Sequence, residues 1–177
     1  MVSNVKQTDI SDCGVACVKS ILHHYNIEVG LSELKLFNPL KVGFYSFADL
    51  SLLFEKFNIE AIGYTSDFKS LNKLRSPFIA HVRIKGLFPH FVVVKSINGN
   101  NVCCMNPSTG GTEVFNKSNF LRIWSGKILI PSTLEGYKKI PESYNISAVV
   151  SFIVNKRASI VSVLIAVVIY LIAKVFI

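Results

Sequence analysis

The sequence predicts an α+β fold in which helices come first and an antiparallel sheet second, followed by an apolar C-terminal segment. Three observations predict it. Up to Phe57 apolar residues recur at helical spacing. From Ile59 onward the period becomes strand-like, with turn residues between short runs. The stretch 158–177 carries one charge, Lys174. A length of 177 residues suits one domain of ordinary size plus a small addition.

Val18, Ile21, Leu22 and Tyr25 mark one face of the first helix. Asp12 stands ahead of them as an N-cap, which puts Cys13 in the first turn. Residues 26–29 end this helix, and 31–37 read as a short helix closed by Asn38-Pro39. After a turn over 43–46, Ser46 caps a third helix whose stripe of Phe47, Leu50, Leu53, Phe54 and Phe57 is a core face. Strands follow over 59–65 and 78–84, with a short capped helix over 67–74 between them. Beyond the loop Lys85-Gly-Leu-Phe-Pro89, a buried strand over 90–97 turns at Asn98-Gly99 and returns antiparallel over 102–105. That hairpin makes spatial neighbours of His90 and Asn106 near its open ends. Gly110-Gly111 leads into a strand over 112–115, a helix over 116–124 and a last strand over 127–130 before Pro131.

The first domain is therefore expected over 1–131. Residues 132–157 read as a linker, with a short amphipathic helix at 146–154 lying on a membrane surface. Residues 158–177 read as a transmembrane helix: twenty residues at 1.5 Å each give about 30 Å, the thickness of a bilayer core. Lys156 and Arg157 ahead of the span place the N-terminal domain in the cytosol. This segment also accounts for much of the mean hydropathy of +0.44.

The net charge of +8 is scattered along the chain with no recognition motif, which argues against nucleic acid and for an anionic membrane surface. Cysteines occur at 13, 17, 103 and 104, and the polar first ten residues exclude a signal peptide. A reducing compartment is expected, as a thiol enzyme needs. Without a CxxC pair or an HxxxH, no metal or other cofactor is expected, and Cys17, Cys103 and Cys104 read as small core residues. No phosphate-binding glycine loop of the Walker A type is present.

Chemistry concentrates in Gln7-Thr-Asp-Ile-Ser-Asp12-Cys13-Gly14-Val-Ala-Cys17-Val18. At a helix start, unpaired N–H groups and the positive end of the dipole favour thiolate over thiol, so Cys13 is the candidate nucleophile. Gly14 leaves room for a substrate backbone. Gln7, six residues upstream, is placed to fold back and offer its amide N–H to an oxyanion. His23 and His24 lie about 15 Å along the same helix and cannot serve as base. His90, at the mouth of the buried Phe91-Val-Val-Val94 strand, is the candidate base, with His81 as competitor. Asn106, which otherwise only starts an Asn-Pro turn, is placed to accept the imidazole N–H. Asp12 reads as a cap first and a functional residue second. Gln, Cys, His, Asn is the order found in papain-like cysteine proteases.

Gln7 to Val18, the His90-Phe91 strand start and the Asn106-Pro107 strand end resemble the double-glycine leader peptidases, the cytosolic N-terminal domains of bacterial ABC exporters for bacteriocins and peptide pheromones. The resemblance covers about residues 5–131 and implies a papain-like cysteine peptidase with Cys13 as nucleophile, His90 as base and Gln7 at the oxyanion. Asn106 stands where the family usually has Asp. The implied partners are a precursor peptide with a double-glycine leader, exporter membrane and ATPase domains in the same chain or a separate one, and the bacterial cell membrane. The alternative is a docking domain, weak or inactive as an enzyme, that recruits a peptide to an exporter. Two arrangements fit a chain ending after one span: a truncated exporter or a singly anchored peptidase.

Overall fold

Twin apolar cores, one on each face of a six-stranded antiparallel sheet, organise the N-terminal part of the protein. The structure, a computed structural model, describes residues 2–38, 41–74, 77–84 and 88–133. A 3-10 turn, Ile10–Asp12, runs directly into α1 (Cys13–His24), followed by α2 (Leu31–Leu36) and α3 (Phe47–Glu55). Asn26 and Asn58, at φ 60° and 55°, take the left-handed conformation that ends α1 and α3. Ser46 caps α3 as expected, its hydroxyl accepting from the Asp49 N–H at 3.2 Å.

The strands are β1 (Ile59–Thr65), β2 (Phe78–Ile84), β3 (Phe88–Asn98), β4 (Asn101–Asn106), β5 (Gly111–Asn116) and β6 (Trp124–Thr133). Two short helices separate them, α4 (Phe68–Leu71) and α5 (Lys117–Ile123). Strand order is β1-β6-β2-β3-β4-β5, so the last strand inserts between the first two. The expected α+β class, with helices preceding an antiparallel sheet, is what the chain adopts.

Phe91, Val93, Ile79, Met105 and Leu129 face α1, α2 and α3, while Phe78, Ala80, Val82, Val92 and Val94 face α5 and α4. Burial on both faces explains why β2 and β3 read as continuous apolar runs. Among the strand ends that differ from expectation, two involve a proline. β3 starts at Phe88, two residues before His90, because the start of β3 pairs with β2 (Ile84↔Phe88, Arg83↔Pro89) while its pairing with β4 begins only at Val93↔Met105. Pro89 therefore lies where β3 has a free side, a position that tolerates the missing N–H. β6 continues through Pro131 to Thr133 for the same reason, since beyond Leu129 it pairs with β1 alone.

Among the described residues no helix is long and apolar enough to cross a membrane. The interfacial helix expected at 146–154 and the span expected at 158–177 lie outside the described residues.

Candidate active site

The start of α1, the first residues of β3, the end of β4 and the N-terminal arm meet at one end of the sheet. The β3–β4 hairpin closes at Asn98↔Asn101, with Gly99 at φ 59° in the loop. Its register, Val93↔Met105, puts Asn106 opposite Val92 and diagonal to His90 on the same face. The two side chains meet: His90 Nε2 lies 2.9 Å from Asn106 Oδ1. Ser108 Oγ lies 3.3 Å from the same nitrogen, and the Ser108 backbone N–H donates to Asn106 Oδ1 at 3.0 Å. With Nε2 engaged, Nδ1 is the ring nitrogen left for chemistry.

Cys13 approaches from α1. Its thiol is buried, at 2% exposure, and burial pushes it above its ordinary 9.0. The backbone N–H groups of Phe91, Gly14 and Cys13 itself are directed at the sulfur and oppose that rise, while neighbouring Asp12 adds to it. The Phe91 amide belongs to the residue after His90, so the thiol sits against the start of β3. Among the described residues no hydrogen bond joins Cys13 directly to His90. The His90 ring, 5% exposed, is held below its ordinary 6.5 by burial, with the Asn106 hydrogen bond and the Glu113 charge acting the other way. Burial thus favours the neutral form of both groups.

That resting state makes a labelling prediction. Iodoacetamide should modify Cys13 before fully buried Cys17 and Cys104, whose thiols burial raises as well. Because the Cys13 thiol starts protonated, its rate should still be climbing above pH 9, as peptide mass spectrometry over pH 6–10 would show. A plateau already reached near pH 7 would instead mean a preformed thiolate–imidazolium pair.

Gln7 is fixed by its backbone N–H, which donates to the Pro107 carbonyl at 2.9 Å, beside Asn106. Its side-chain Oε1 is buried with no partner among the described residues. The arm before it is stitched down by Asn4, whose Oδ1 accepts from Lys95 Nζ at 2.8 Å and Thr112 Oγ1 at 3.0 Å. All four expected site residues, Gln7, Cys13, His90 and Asn106, therefore come to one end of the sheet.

His81, the competing base, is committed elsewhere. Its Nδ1 lies 2.8 Å from Ser125 Oγ, which spends its own hydrogen on the His81 carbonyl at 3.0 Å. Ser125 lies on β6, on the opposite side of β2 from β3. His23 pairs with Glu28 at 3.1 Å on the distant end of α1.

Two local readings need correction. Asp12 holds the N-cap position of α1, yet its side chain makes no capping hydrogen bond. The carboxylate is 1% exposed and takes the Thr8 hydroxyl and an ion pair with Lys35 Nζ at 3.0 Å. The 3-10 turn ahead of α1 removes the need for a cap by extending the helix backwards. Gly14 does not open space for substrate either: a Cβ there would meet Leu50 Cδ2 at 2.9 Å and Phe91 Cδ2 at 3.2 Å. Its bareness lets α1 pack closely on β3 and α3. Gly14→Val should therefore destabilise the domain by about 2 kcal/mol through overpacking, read as a lower urea midpoint.

One contributor escaped the sequence reading. Glu113 on β5 accepts from Asn106 Nδ2 at 2.8 Å and from Thr109 Oγ1 at 3.2 Å. The only available signal was its register, which sets a carboxylate opposite fully buried Cys104. Among the described residues no three His, Cys, Asp or Glu side chains are grouped to hold a metal ion.

The domain is thus of the α+β class, with helices ahead of an antiparallel sheet and Cys13, His90 and Asn106 near one end of that sheet. A peptidase C39 family model matches residues 2–135, and the chain belongs to that family. It is 28% identical over 136 residues to the lactococcin-G-processing and transport ATP-binding protein LagD of Lactococcus lactis subsp. lactis, covering 76% of this chain and 19% of that protein. It is 30% identical over 150 residues to the lactococcin-A transport/processing ATP-binding protein LcnC of the same subspecies, covering 83% of this chain and 21% of the relative. The chain thus spans about a fifth of the length of these curated relatives. Among solved structures, the peptidase domain of Streptococcus ComA, a bi-functional ABC transporter involved in a quorum sensing pathway, superposes with a TM-score of 0.68 at 23% identity, over 76% of this chain and all of that one. A double glycine motif protease from an AMS/PCAT transporter, solved with its leader peptide, gives 0.67 at 24%, over 76% of this chain and 93% of that one. At these identities the two structures show a shared fold.

Proposed function

We propose that this domain is a cysteine endopeptidase that removes the leader of a bacteriocin or pheromone precursor after a Gly-Gly pair, in step with export of the mature peptide. The observation that carries the reading is the 2.9 Å link between His90 Nε2 and Asn106 Oδ1, together with a Cys13 thiol held at the backbone amide of Phe91, the residue after His90. In the proposed reaction Cys13 Sγ attacks the carbonyl carbon of the second glycine as His90 Nδ1 takes the thiol proton. The oxyanion is met by the Cys13 N–H and the Gln7 side-chain amide. The C–N bond breaks, the amine leaves with the proton from His90, and water, deprotonated by His90, hydrolyses the thioester.

The burial of Cys13 and His90 supports glycine specificity. A sulfur and an imidazole so enclosed are reached most easily by a backbone without side chains. His90 must be neutral to act as base, and burial holds its pKa below the ordinary 6.5, so the acid limb of kcat/KM should lie below pH 6.5.

The partners in this reading are the precursor peptide, an ABC exporter carrying membrane and ATPase domains, and the bacterial membrane, with the peptidase on the cytoplasmic side. Names of the relatives, which pair processing with transport, support it. The rival reading is a docking domain with little or no activity, and the missing direct hydrogen bond between Cys13 and His90 among the described residues favours it. Incubating the purified protein with a synthetic leader ending in Gly-Gly and a short extension separates the two. Cleavage after the second glycine is expected; intact peptide that is nonetheless bound would establish the docking domain.

A further inference from the structure

Asn106 offers His90 two unlike faces, an acceptor and a donor, and only the acceptor yields a working base. If Nδ2 faced the ring, Nε2 would have to carry the lone pair, the proton would move to Nδ1, and the base would point the wrong way. A carboxylate in place of Asn106 has no such ambiguity. An amide needs something to hold its orientation, and Glu113 is placed to do so. Ionised, Glu113 is an acceptor only, and its Oε1 sits 2.8 Å from Asn106 Nδ2. The Ser108 backbone N–H, a donor only, lies 3.0 Å from Oδ1 and demands the same orientation.

We propose that Glu113 is a positioning residue: its carboxylate locks the Asn106 amide so that Oδ1 faces His90, which keeps the ring proton on Nε2 and the lone pair on Nδ1. The inference rests on the peptidase reading for its catalytic meaning and on geometry for its substance. Glu113 also returns a negative charge behind the histidine, one residue further out than an Asp at 106 would put it. Among the described residues Glu113 forms no ion pair; Thr109 Oγ1, at 3.2 Å, is its other partner. The titratable groups bearing on His90 are few. Glu113 acts from β5, raising the affinity of the ring for a proton. His81 acts from β2, as a neighbour whose own proton is disfavoured by His90. From α1 the Cys13 thiol faces the Phe91 amide.

The arrangement makes an unusual demand on substitution at 106. Asn106→Asp, the residue usual in the family, would set two carboxylates in contact, so that one must stay protonated. That variant should cleave leader only at lower pH and acquire a descending alkaline limb near neutrality that the wild type lacks. Glu113→Gln in the wild type should lower kcat about 10-fold with little change in KM, because a charge-assisted hydrogen bond becomes a neutral one. In the Asn106→Asp background the same change should abolish the new alkaline limb and restore activity, since a Gln amide can donate to Asp. Harm in one background and benefit in the other is the expected result. A merely structural role would lower thermal stability in both backgrounds and leave the pH profile unmoved.

Imidazole nitrogen NMR of the 15N-histidine-labelled full chain reads the proposal without turnover. The wild type should show His90 as the Nε2–H tautomer, and Glu113→Gln should lower the pH at which that ring titrates. An Nδ1–H tautomer in the wild type, or an unchanged titration in Glu113→Gln, overturns the proposal whether or not leader is cleaved. Failure of the wild type to cleave, with the expected NMR result, overturns the peptidase reading alone.

Discussion

Cys13→Ala is expected to lower kcat for leader cleavage by at least about 10³-fold while leaving the affinity for the uncleaved leader unchanged. No other thiol lies at the Phe91 amide: Cys17 and Cys104 are fully buried, and Cys103 pairs with Ser96, farther along β3 towards the hairpin turn. The substitution removes a single sulfur from a helix start already closed by Leu50 and Phe91, so the surrounding packing has little reason to move. Mass spectrometry of leader after incubation gives the rate, and fluorescence anisotropy of a labelled leader gives the affinity. Cleavage at the Gly-Gly bond persisting in Cys13→Ala would assign the chemistry to another group. Equal silence of wild type and variant, with equal binding, would leave a docking domain.

Phe120→Ala is expected to cost about 3–5 kcal/mol, a large share of the about 5–15 kcal/mol that holds a domain together. Phe120 is the one buried residue of α5 and is fully enclosed. Its ring stacks on Trp124 with centroids 5.8 Å apart and lies 6.5 Å from both Phe68 and Phe115. A helix of seven residues has no independent stability, so this one ring largely docks it over Val82, Val92 and Cys104. Truncation leaves a cavity among aromatic rings that cannot collapse onto alanine. Urea denaturation monitored by Trp124 fluorescence should show the lowered midpoint. A change below about 1 kcal/mol would mean that α5 contributes little to holding the second core together.

Much of this was legible in one dimension. The spacing of Val18, Ile21 and Leu22, the Ser46 and Asp67 caps, and the Gly99 hairpin all act through local backbone physics, and the structure reproduces them. The hairpin made neighbours of His90 and Asn106 because antiparallel pairing fixes which residues of two adjacent strands meet. Asp12 and Gly14 depart from their local roles because their environments are non-local. Lys35, twenty-three residues away, took the carboxylate of Asp12, and Leu50 and Phe91 filled the space beside Gly14. β6 runs on through Pro131, and nothing in the sequence tells that one side of the strand is free there.

By itself the amino-acid order determined the α+β class and the helices and strands in sequence, and it offered a thiol, an imidazole and two amides as candidate groups, since periodicity, capping and side-chain reactivity are properties of short segments. Tertiary structure alone decided how those groups stand: Cys13 and His90 buried, with burial favouring their neutral forms, His81 turned away to Ser125, and Asn106 bonded to Glu113. The reason is that burial, strand order and the pairing of residues far apart in the chain set the proton affinities and hydrogen-bond directions, and none of these exists until the sheet has formed.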